Sequence, residues 1–258
     1  MRPALLVLPL ALLCACPPDD TDDDSQADDT APGDSDTQEI PPVYPEGTRI
    51  LLFHGHGAPA EDESGWGRFD TVDTHWKDTY GWNSDYRDYI PDDLSDYRAI
   101  FFIAPGLTGE EDFTAEELER LRAALDTGTR MIVLNERDGC GTSTPNTLLA
   151  GLGASLAYTG DGQQMYQTAE TDLITPHQIT AGIGMIKFRD TCWVDPGAGQ
   201  GLVSYQGDDM VAVERPGAGG EIVIVGDFEF LDDSGPREWD DNAVLGDRLV
   251  EIDPGYAK

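Results

Sequence analysis

The chain has 258 residues and carries 50 Asp and Glu against 16 Lys and Arg, a net charge of -34. That balance excludes any function built on coating a phosphate backbone with basic side chains, so nucleic acid is not a partner. Residues 1–46 hold eleven of the acids and one base, Arg2, which leaves residues 47–258 with 39 acids, 15 bases and a net -24. With 39% hydrophobic residues and five Trp, this remainder suffices for one sizeable core, and one domain is expected.

Arg2 is followed by an apolar run from Ala4 to Ala15. One positive charge and about a dozen apolar residues is the layout of a secretory signal, and the run is shorter than the roughly 20 residues that span a bilayer. Its end, Leu13-Cys14-Ala15-Cys16, resembles the bacterial lipobox. The resemblance implies that residues 1–15 are removed and that Cys16 carries diacylglycerol and palmitate, anchoring the protein to the cell membrane or outer membrane and facing periplasm or exterior. An ordinary cleaved signal is the alternative.

Residues 17–46 are dominated by Asp, Thr, Ser and Pro, with Ile40, Val43 and Tyr44 as the large apolar side chains. Such a segment buries too little surface to offset its ordering entropy, so residues 16–46 are expected to be a disordered acidic tether with an r.m.s. span of roughly 30 Å or more. The Asp run 19–24 lacks the turn Gly and the terminal Glu of an ordered calcium loop. With Cys14 and Cys16 assigned to signal and lipid, Cys140 and Cys192 remain. In an exported protein they are expected to form a disulfide, two free thiols being the alternative.

From residue 47 onward the pattern becomes that of a folded α/β domain. Arg49 to His54 reads as a buried strand opening into Gly55-His56-Gly57. An aromatic-rich stretch from Trp66 to Tyr89 comes next, without a periodicity that fixes its structure. Tyr97 to Ala104 is a second buried strand, stopped by Pro105-Gly106. Thr114-Ala115-Glu116-Glu117 is a capping box that starts a helix with Leu118, Leu121 and Leu125 on one face and Gly128 at its end. Arg130 to Asn135 is a third strand, succeeded by a helix from about Pro145 to Gly151 or Gly153. Shorter β-like runs at Ser155 to Tyr158, Met185 to Phe188, Gly201 to Tyr205 and Met210 to Glu214 suggest an antiparallel extension. Glu221 to Val225 is the last buried strand, and Asp241 to Glu251 a closing helix with Val244, Leu245, Leu249 and Ile252 inward. Near-continuous apolar strands alternating with helices predict a parallel sheet covered on both faces.

Four stretches in this order, RILLFHGHG, YRAIFFIAPG with FTAEELERLRAALDTGTRMIVLN, the segment His177 to Ile183, and GGEIVIVGDFEFLDD followed by DNAVL, resemble the class I glutamine amidotransferase-like domains of the ThuA-like branch. Gln178 stands where that branch usually has Pro. The resemblance implies a flavodoxin-like three-layer α/β sandwich with a mainly parallel central sheet and an antiparallel β extension. It does not carry over the amidotransferase reaction, because that chemistry needs a Cys at the turn after a central strand, a His and an orienting acid. Here the turn after Arg130 to Asn135 holds Glu136, Cys140 comes several residues later, and the last strand leads to Asp227-Phe228-Glu229.

Ligands of open parallel sheets sit outside the carboxyl ends of the strands. The candidate ligand-binding residues there are His54, His56, Glu136, Asp138, Asp227 and Glu229, and His54 and His56 are candidate ligands of a divalent metal. Both His reach one ion only where their loop bends, as its glycines allow; the alternative is that each packs locally. His177 is expected to lock the turn of its motif. The aromatics between Trp66 and Tyr89 are either core or an exposed platform for sugar rings or cations. Two functions are therefore expected to compete. One is a non-catalytic binding or scaffolding module for a small-molecule, carbohydrate or protein ligand, with no cofactor. The other is a metal-assisted hydrolase or carbohydrate-active enzyme using His54, His56 and nearby carboxylates.

Overall fold

The structure is a computed structural model, and it describes residues 49–59, 67–233 and 240–251. The expected signal, Cys16, the expected acidic tether, Trp66 and Ile252 lie outside the described residues. No helix among the described residues is long and apolar enough to cross a membrane.

Nine strands form one sheet. Five are parallel: β1 (Arg49–Phe53), β2 (Asn83–Arg87), β3 (Tyr97–Ile103), β4 (Arg130–Leu134) and β9 (Ile222–Val225), in the spatial order β2-β1-β3-β4-β9. This is the doubly wound, flavodoxin-like order, with its switch point between β1 and β3. The remaining strands, β5 (Ala157–Thr171), β6 (Ile186–Asp195), β7 (Gln200–Tyr205) and β8 (Asp208–Glu214), continue the sheet antiparallel beyond β9.

Helices cover both faces. Helix α1 (Asp70–Tyr80) and helix α4 (Asp240–Val250) pack Val72, Trp76, Leu245 and Leu249 against Ile50, Leu52, Phe101 and Ile132 of the sheet. On the opposite face α2 (Ala115–Asp126) and α3 (Thr144–Gly151) pack Leu121, Leu125, Leu148 and Leu149 against Leu51, Phe53, Ile100 and Met131. Burial on both sides explains why β1, β3, β4 and β9 read as unbroken apolar runs. The capping box of α2 is present as expected, with Thr114 and Glu117 each accepting from the other's backbone N–H.

The aromatic stretch resolves into α1 and β2. Trp76 and Trp82 are fully buried and Tyr80 stacks on Trp82 at 4.4 Å between ring centroids, so most of these rings are core, while Tyr89 is 56% exposed. Strand β2 has no signature in the sequence because Asn-Ser-Asp-Tyr-Arg lies at the sheet edge and stays half-wet. The late β-like runs are longer than expected: β5 and β6 pair through two register shifts, one between Tyr158 and Gly162 and one between Gln164 and Ala169.

Candidate functional site

The parallel strands all point their carboxyl ends to one edge, and five of the six candidate ligand residues are buried or half-buried there, Asp138 being the exposed one. After β1 the chain is tied sideways: the His54 amide donates to the Arg87 carbonyl at 2.8 Å. The His54 ring stacks on Tyr86 (5.5 Å, 29°) and meets Phe69 edge-on at 6.1 Å. Burial pushes its imidazole down to about 4, so it is neutral at physiological pH, and its Nε2 is enclosed with no hydrogen-bond partner.

His56 goes the other way. The expectation that a bend would bring both His to one ion fails: a straight extended segment already puts side chains two residues apart on one face, and it is the bend at His56, φ 53°, that parts them. Its ring lies 4.2 Å from Phe113 and 5.5 Å from Phe53, on the α2 side of the sheet, with Nε2 3.3 Å from Glu117 Oε1. The loop is held by Gly106 N–H donating to the His56 carbonyl and Thr108 N–H to the Gly57 carbonyl. Gly57 (φ 73°) is required, since a Cβ there would sit 1.7 Å from the Gly109 carbonyl oxygen. The loop therefore bends, but it separates the two imidazoles instead of converging them. Among the described residues no group of three His, Cys, Asp or Glu side chains is arranged to hold a metal ion.

The turn after β4 is built on Asn135. Its side chain accepts from the Glu136 amide at 3.0 Å and donates to the Gly139 carbonyl at 3.2 Å, closing the short 3-10 turn Arg137–Gly139. Glu136 is thereby kept under the sheet edge, 7% exposed. Burial, reinforced by Glu229, Asp138, Asp190 and Asp232, pushes its carboxyl up to about 8. Asp138 itself is exposed and pairs with Arg137 at 3.4 Å.

After β9, Asp227 is buried and accepts from the amides of Arg189 (2.8 Å) and Glu229 (2.9 Å). Burial holds its carboxyl well above the usual carboxylate range against these two amides. It caps the turn Phe228–Phe230 and so fixes Glu229, whose carboxyl burial raises while Arg189, 3.7 Å away, counters. Glu136, Asp227 and Glu229 thus act on one another electrostatically; Asp138 points to solvent, and Arg189, Asp190 and Asp232 join the group. The sequence pattern does not reveal Arg189 and Asp190 because the strand that carries them is expected to stop at Phe188, whereas β6 runs to Asp195.

Cys140 and Cys192 are joined in a disulfide, Cα atoms 5.3 Å apart. Their sulfurs lie 3.5 and 2.7 Å from the Glu136 carbonyl oxygen. The bond ties the β4 turn to β6 beneath the acidic group and occupies the thiol of Cys140. His177 closes its turn as expected, its Nδ1 accepting from the Ile179 amide at 3.2 Å. A separate open cleft of about 460 Å³ lies at the ends of β1 and β2, lined by His54, Ala58, Pro59 and residues 86–89.

No protein-family model matches the sequence, and no curated protein does. Solved structures do. The mmIFT52 N-terminal domain superposes with a TM-score of 0.60 at 16% identity, covering 79% of this chain and 98% of that one. A ThuA-like protein from Bacteroides uniformis ATCC 8492 gives 0.55 at 12% identity, covering 81% of this chain and 94% of its own. Cytoplasmic protein STM1381 from Salmonella typhimurium LT2 gives 0.54 at 13% identity over 79% and 98%. The chain shares with these structures the flavodoxin-like α/β fold. At these identities the likeness extends to the three-layer architecture and no further.

Proposed function

We propose that the chain is an exported lipoprotein, held to a membrane by lipid on Cys16, and that its ThuA-like domain binds a ligand without glutaminase chemistry. The observation that carries this reading is the Cys140–Cys192 disulfide. A class I glutaminase needs a free thiolate at the turn after a central strand; here that turn presents Glu136, and the nearby sulfur is bonded. The same bond fits an oxidising compartment, in keeping with the signal-like Arg2 to Ala15. The acidic tether would hold the domain clear of the bilayer.

Membrane fractionation of the Cys16→Ser variant tests the anchor: the protein moves to the soluble fraction, and retention in the membrane overturns lipidation. Ammonia release from glutamine by the purified protein would overturn the binding-module part. One observation favours a hydrolase as the second reading. Burial beside Glu229 pushes the Glu136 carboxyl up to about 8, which would suit it to the role of a general acid in such a reaction. EDTA-insensitive hydrolysis of nitrophenyl glycosides or esters, lost in Glu136→Gln, would establish that reading in place of the first.

A further inference from the structure

We propose that the cleft at the carboxyl ends of β1 and β2 binds a small zwitterion of free amino acid size, with Arg87 taking its carboxylate and Asp88 its ammonium group. The proposal rests on the reading of the domain as a ligand-binding module and names the class of ligand.

The argument starts from an imbalance. Residues 47–258 have 39 carboxylates for 15 basic side chains, and in such a domain a guanidinium readily finds an acid. Most do: Arg49 pairs with Asp85, Arg130 and Arg215 with Glu221, and Arg189 with Glu229. Arg87 makes no direct ion pair with a described carboxylate; it acts on Asp85 only at longer range, where against burial it helps the Tyr97 hydroxyl and Arg49 to lower that carboxyl. Its guanidinium lies 5.9 Å from the centre of the exposed Tyr89 ring, at the cleft. Asp88, next in the chain, lines the same cleft and is likewise in no ion pair with a described side chain.

Opposite charges standing side by side at a cleft without a direct ion-pair partner among the described residues discriminate by sign. A simple anion meets Asp88 and the net negative domain, and a simple cation meets Arg87. A molecule carrying both charges on neighbouring atoms satisfies both, with charge-assisted hydrogen bonds at each end. The rest of the lining suits the remainder of such a molecule. His54 and Tyr86 stack into an aromatic wall, and Ala58 and Pro59 add apolar surface. His54 is neutral and so does not compete as a cation. The cleft, about 460 Å³, is within the usual range for small-molecule sites. It stands beside the switch point of the sheet, where this architecture places ligands.

Titration calorimetry of the full mature chain against each of the twenty protein L-amino acids, with glucose alongside, tests this. At least one amino acid binds, and its two half-analogues, the amine lacking the carboxylate and the acid lacking the amine, bind roughly tenfold or more weakly. Arg87→Gln and Asp88→Asn each lower affinity for the zwitterion by a similar factor with unchanged thermal midpoints. Arg87→Gln leaves the amine analogue unaffected, and Asp88→Asn leaves the acid analogue unaffected. The proposal is overturned if no amino acid binds, if a half-analogue binds as well as the parent, or if the two variants bind normally. Binding of glucose alone in this cleft, lost in Tyr86→Ala, would overturn the zwitterion and keep the binding module; glutamine hydrolysis would overturn the module itself.

Discussion

Glu136 shows how far one side chain is set by its position. Its backbone is fixed by Asn135 and its carbonyl lies against the disulfide, so the carboxyl stays in a poorly solvated, negative surrounding. A folded-state value near 8, against 4.5 for an ordinary Glu, means that between these pH values the folded chain holds a proton that the unfolded chain has lost. Stability therefore falls as pH rises from about 4.5 to 8, by on the order of 1 kcal/mol per unit from this group. Glu136→Gln keeps the shape and removes the charge. Thermal melts should show the variant more stable than the parent at pH 8, little changed at pH 5, and with a flatter pH profile between. A variant less stable at pH 8 would show that Glu136 is held as a carboxylate by a partner.

Among the elements, legibility tracks burial. The strands β1, β3, β4 and β9 announce themselves because both faces are covered, and α2 because its cap is local. Strand β2 is a polar edge and does not show in the sequence, while β5, legible only at its start near Tyr158, owes its length to pairing with β6 rather than to its own residues. The candidate site divides in the same way. Glu136, Asp227 and Glu229 stand just past the ends of buried strands and are legible for that reason, whereas Arg189, Asp190 and Arg87 depend on strands whose extent is decided by their neighbours. The opposed facing of His54 and His56 turns on one left-handed residue that is not a glycine, which no spacing rule foresees. Arg130 is another long-range case. It sits at the start of β4, fully buried, and donates to the carbonyls of Arg248, Leu249 and Glu251 at the end of α4 while pairing with Glu221. Replacing it with Met strands those carbonyls and loosens α4, at a cost of about 3 kcal/mol. Urea unfolding followed by circular dichroism measures this; a loss below about 1 kcal/mol would mean that apolar packing alone holds the helix.

For the molecule as a whole, the disulfide joins the parallel half of the sheet to its antiparallel extension across 52 residues of sequence. Removing such a closure from the unfolded chain costs on the order of 4 kcal/mol in the entropic account. The Cys140→Ala/Cys192→Ala double variant should lose that much in denaturant unfolding, and dithiothreitol should bring the parent down to the variant's midpoint. Equal midpoints in oxidised parent and variant would assign the stability to packing alone.

The sheet order has a last consequence, for the sequence of events in folding. Strand β9 is the last strand among the described residues yet lies between β4 and β8. Until residues 222–225 arrive, Met131 to Leu134 present an unpaired apolar edge, and the antiparallel strands can form hairpins but have nothing to dock on. A nascent chain halted before β9 would carry two half-sheets with sticky borders, the situation that invites mispairing and slow, long-range closure. The slot filled by four residues, Ile-Val-Ile-Val, is thus the keystone of assembly: the domain becomes one cooperative body at its last strand, and truncation just before it should yield aggregate instead of a smaller folded protein.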